Sequence, residues 1–95
     1  MTNTETACDV RICWDSSMPG CGWEWISESP IAGDLLGGHF GTVDQVEWSD
    51  EAGVERVKQM TEKDILEAFC KQIGPEKLQL LFVNKMQVVV DMQQW

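Results

Sequence analysis

The chain has 95 residues, a length that suits one domain around one modest core. Its apolar content of 43% excludes wholesale disorder, and its apolar runs are too short to span a membrane. Sixteen acids against seven bases give a net charge of −9, which argues against direct binding to nucleic acid or to an anionic membrane.

The charge is unevenly spread. Residues 1–55 hold eleven acids and one base, Arg11, for a net of −10. Residues 56–95 hold five acids and six bases, for a net of +1. Such an asymmetry either favours a basic partner or simply keeps a small protein soluble. Met1 to Glu5 lack the basic and apolar regions of a secretory leader, so the expected location is the cytoplasm. There, Cys8, Cys13, Cys21 and Cys70 are expected as free thiols, with a Cys13–Cys21 disulfide the alternative.

In chain order, residues 1–7 are polar and expected to fray. Val10, Ile12 and Trp14 alternate with Arg11, Cys13 and Asp15, the pattern of a half-buried strand. A turn over 15–20 leads to a return strand, in which Trp23 and Trp25 share one face and Glu24 takes the other. Residues 28–41 carry Pro30 and four glycines and read as a loop, with one helical turn at 31–36. Val43, Val46 and Trp48 mark a third strand. A turn at 49–53 returns residues 54–58 as its partner.

Thr61 and Asp64 have capping-box spacing. Ile65, Leu66, Phe69, Cys70 and Ile73 then form a helical apolar stripe, which Gly74-Pro75 ends. Leu78, Leu80 and Phe82 alternate with Gln79 and Leu81. With a turn at Asn84-Lys85 and the apolar run 87–92, they predict a terminal hairpin, helix through 76–83 being the competing reading. The predicted fold is therefore α+β, a small antiparallel sheet of five or six strands with one main helix on one face.

No catalytic constellation emerges. His39 is the only histidine, and no cysteine has a spacing that pairs with it. The glycines at 37, 38 and 41 lack the Gly-Lys-Ser/Thr end of a phosphate loop. No CxxC pair supports zinc, and 44–51 lack the alternating ligands of a calcium loop. Hence no enzyme activity, metal or cofactor is expected. Trp14, Trp23, Trp25 and Trp48 are expected in the core, with an exposed tryptophan-rich sheet surface as the alternative; Trp95 is left open.

The candidate partner-binding residues are the acids of the first half: Glu24, Glu28, Asp34, Asp44, Glu47, Asp50 and Glu51. Paired strands at 43–48 and 54–58 would gather the acids of 44–55 around one hairpin and its turn, with apolar anchors from 31–40. A cluster of this kind speeds association with a basic surface, and is otherwise a solvated face.

Gly22-Trp23-Glu24-Trp25, Leu36-Gly37-Gly38-His39-Phe40-Gly41 and Val43-Asp44-Gln45-Val46-Glu47 together resemble phage-borne anti-CRISPR proteins, in particular a type I-F inhibitor. The resemblance spans residues 22–47, about a quarter of the chain. The β-rich reading of 78–92 departs from that family's more helical end. The resemblance implies a viral, non-enzymatic inhibitor in the host cytoplasm. It would bind a CRISPR surveillance complex and block target DNA recognition or nuclease recruitment, acting as a DNA mimic without touching nucleic acid. The alternative is a small structural or accessory subunit.

Overall fold

The computed structural model describes residues 8–17 and 19–94. The expectations for residues 1–7 and for Trp95 lie outside these. The elements in order are β1 (Val10–Ser17), β2 (Gly20–Ser27), α1 (Pro30–Leu36), β3 (Phe40–Glu47), α2 (Glu51–Lys58), α3 (Glu62–Val83) and β4 (Val88–Val90). The sheet runs β3-β2-β1-β4. The class is α+β, as expected, but the expected five or six antiparallel strands and single main helix are corrected. Among the described residues there are four strands and three helices, and β4 lies parallel to β1.

The first hairpin follows its alternation. Trp14 stands opposite Trp23, and Ile12 opposite Trp25. Val10, Ile12, Trp14, Cys21, Trp23 and Trp25 are all buried and face the helical layer. The rings of Trp14 and Trp23 meet edge to face, with centroids 5.4 Å apart and planes at 75°. That geometry adds about 1 kcal/mol beyond the area buried. Trp48 is a correction: it follows β3 and is 37% exposed. The cysteines are free thiols, as expected, and the alternative Cys13–Cys21 disulfide is not formed. Cys13 pairs with Glu24 and faces away from the helices, whereas Cys21 is buried beneath them.

Between β2 and β3 the register slips by one residue. Trp23 faces Asp44 but Glu24 faces Thr42, so Val43 is the extra residue of a bulge. Val43 is thereby buried in the core, and Asp44 beside it reaches Arg56 of α2. Gly41 is one of several positions with no room for a side chain. The Trp25 indole lies across Gly41, where an added Cβ would sit 2.6 Å from Nε1.

Residues 28–41 hold more helix than expected. Ser29 accepts from the Ala32 amide and Pro30 opens the first turn of α1. Residues 54–58 are not a strand. Asp50 accepts from the Gly53 amide at 3.0 Å, so the expected turn is the cap of α2. Val54 and Val57, three apart, are the buried side of that helix. Its last four carbonyls are all satisfied. The Gln59 amide bonds those of Glu55 and Arg56, the Trp23 indole that of Val57 at 2.8 Å, and the Gln94 side chain that of Lys58 at 2.8 Å.

The Thr61–Asp64 capping box is present at the start of α3. Ile65 and Phe69 of the expected stripe are buried, and Leu66, Cys70 and Ile73 are half-buried. Gly74 (φ 86°) breaks the helix, but Pro75 restarts it rather than ending it. Proline suits a first helical turn, because its missing N–H needs no partner there. The expected terminal hairpin is thus corrected: residues 75–83 are helical, with Leu81 buried and Lys77 donating to the Leu36 carbonyl at 3.0 Å. The turn at 84–85 leads instead to β4, which joins β1 at Val10–Ile12.

Replacing Trp23 by alanine removes the largest fully buried side chain and strips α2 of a carbonyl partner. A loss of about 4 kcal/mol in urea unfolding is expected. Asp50→Ala, which removes only a cap, is expected to lose about 1 kcal/mol in the same measurement.

Candidate interaction surface

The helices cover one face of the sheet and leave the other open. Strand register lays out the open face in rows. The first row, from β3 to β4, is Phe40, Ile26, Arg11 and Val89. The second is Thr42, Glu24 and Cys13, with Asp91 beyond the end of β4. The third is Gln45, Gly22 and Asp15, and the fourth is Glu47, Gly20 and Ser17. Apart from Gly22, every residue in these rows is half-buried or exposed. The face thus has an apolar edge, where Phe40 is 73% exposed, and becomes acidic towards the other end.

The acids crowd around Cys13. Burial, then the charges of Glu24, Asp91 and Asp15, push its thiol from 9.0 up to about 11, with Arg11 opposing. Burial and the neighbouring Asp15 also raise the Glu24 carboxyl above its ordinary value. Asp15 is tethered by Ser17 Oγ and Gln45 Nε2, each donating at 3.3 Å. Glu28 behaves in the opposite sense. The hydrogen bond from Arg11, and then that from the Cys8 thiol, hold it below the usual carboxylate range.

The seven sequence-predicted acids are therefore not one cluster. Glu24 and Glu47 share the open face. Glu28 sits near its apolar edge and is paired with Arg11 at 3.1 Å. Asp44 lies on the covered side, bound by both Arg56 guanidinium nitrogens at 2.7 and 3.1 Å. Asp50 caps α2, Glu51 is exposed in that helix's first turn, and Asp34 is exposed on α1. The expected hairpin gathering the acids of 44–55 is absent because 54–58 are helical. Of the expected apolar anchors, Phe40 and Ile31 are exposed, whereas Leu36 is buried.

Two open-face acids escaped the sequence reading of the site. Asp15 was marked by its alternation with Trp14. Asp91 carried no signal, because its place depends on β4 running parallel to β1. His39 is exposed just before β3. Among the described residues, no group of three or more His, Cys, Asp or Glu could hold a metal, and no helix is long and apolar enough to cross a membrane. Comparison with protein families, curated proteins and solved structures finds no match for this chain.

Both shifts carry a pH dependence. Cys13 binds its proton more tightly in the folded state, so its contribution is complete below pH 9 and is lost as pH rises through about 11. Stability should therefore decline above pH 9, and less steeply in Cys13→Ser. Glu24, also raised, disfavours the folded state once ionised. Glu24→Gln should raise the melting temperature at pH 7 in low salt, with the gain shrinking at high salt.

Proposed function

We propose that the chain is a non-enzymatic inhibitor whose open sheet face occupies a basic, nucleic-acid-binding surface of a host protein. The observation that carries this reading is the gathering of Asp15, Glu24, Glu47 and Asp91 on one uncovered face, with no helix over it. Arg11, the base in these rows, is paired with Glu28. A surface of this sign raises the encounter rate with a basic groove and competes there with phosphates. Phe40 and Ile26, adjacent across β2 and β3, supply apolar contact beside the charge.

The resemblance of residues 22–47 to anti-CRISPR proteins makes a CRISPR surveillance complex the partner to test first. Those residues form β2, α1 and β3, and so include Glu24, Glu47 and Phe40 of the open face. The helical course of 75–83 also removes one difference from that family's more helical end. The competing reading, a subunit pairing through an exposed sheet edge or tryptophans, has little support from its tryptophans. Trp14, Trp23 and Trp25 are buried, and only Trp48 among the described tryptophans reaches water.

The test is competition between this protein and target DNA for the purified surveillance complex. Asp15→Asn, Glu24→Gln and Glu47→Gln together are expected to weaken binding at least about tenfold, with wild-type binding falling as salt rises. Asp44 and Asp50 are left intact because they hold the fold. Unchanged affinity in the triple variant would remove the acidic-face mechanism.

A further inference from the structure

The second half of α3 leaves apolar side chains in water that the acidic face does not use. Phe82 is 79% exposed and Val83 62%, and Leu78 is partly exposed one turn before Phe82. Leu78 and Phe82 are four residues apart, so they stand one above the other on one side of the helix. The same side continues past the break at Gly74. There Leu66 and Cys70, also four apart, meet Pro75 and Leu78 around a shallow groove of about 670 Å3. Single exposed apolar residues are ordinary surface, but a contiguous strip of this kind marks an interface.

Charge decides what covers it. The strip belongs to α3, where Glu62, Asp64, Glu67 and Glu76 are nearly balanced by Lys63, Lys71 and Lys77, whereas residues 1–55 net −10. Two copies meeting through their acidic halves bring those charges together, whereas two meeting through α3 hold them apart and leave only a weaker, longer-range repulsion. The groove rim carries both signs, with Glu62 and Glu67 beside Lys63 and Lys71. A mixed rim complements itself across a two-fold axis, where an acid of one copy meets a base of the other. A basic partner is drawn to the opposite half of the molecule. We infer that this face is the interface of a two-fold homodimer, with Phe82 of each copy entering the groove between Leu66, Cys70 and Leu78 of the other.

Sedimentation velocity on the full chain tests this. At about 100 µM the protein should run as a dimer. Raising salt to about 1 M should preserve or tighten the dimer, because it screens repulsion between acidic copies. That is the reverse of the salt response expected at the open sheet face, so the two readings fail separately. Phe82→Glu should weaken dimerisation at least about tenfold with the far-ultraviolet spectrum unchanged, since Phe82 is too exposed to support the core. Phe40→Glu, a comparably exposed aromatic on the sheet face, should leave the dimer intact. A monomer at the highest concentration would overturn the inference. So would a dimer that survives Phe82→Glu, or one that Phe40→Glu breaks.

Discussion

The indole of Trp23 ties the two layers of the molecule together. Its ring fills the centre of the sheet's covered face, beneath α2 and edge-on to Trp14. Its N–H reaches the carbonyl of Val57, a group the helix cannot satisfy internally. One side chain therefore supplies apolar bulk and a specific polar anchor to the same helix. In a chain this small, with only ~65% of its unfolded surface removed from water, that economy matters. The bulge at Val43 depends on the same neighbourhood, because it begins where the register slips after Trp23.

The division of labour among the acids follows from this packing. Asp44 and Asp50 sit where β3 gives way to α2, and their carboxylates are occupied by Arg56 and by the Gly53 amide. Glu24, Glu47, Asp15 and Asp91 are on the side that no helix reaches. Net charge alone does not separate these groups. Strand parity and the helix cap do, and they leave the open face more acidic and the covered face better neutralised than composition implies.

The parts of the fold legible in the sequence were those governed by local chemistry. The alternation of Val10, Ile12 and Trp14, the Gly22-to-Ser27 return and the Thr61 capping box each depend on neighbours within a few residues. What misled was punctuation. Gly53 looked like a turn but lies in the first turn of α2, and Gly74-Pro75 looked like a stop but joins two helical segments. Residues 78–82 alternate like a strand, yet their helical placement buries Leu81 and leaves Phe82 in water. For the candidate surface, parity alone assigned Glu24. Asp91 required the long-range pairing of β4 with β1, which no short window encodes.

That pairing also shapes how the molecule is made. β1 is a central strand, but only one of its two neighbours, β2, lies next to it in the chain. The other is β4, the last element, reached only after α3 has crossed the sheet. During synthesis the first hairpin can close early, whereas one edge of β1 waits until Val88–Val90 have left the ribosome. Until then Val10 and Ile12, fully buried in the finished domain, border an open edge. The Gln87 carbonyl, which receives the amides of Asp9 and Val10, is the latch that closes it. Until that closure, the edge of β1 presents unpaired backbone groups to which another chain could add.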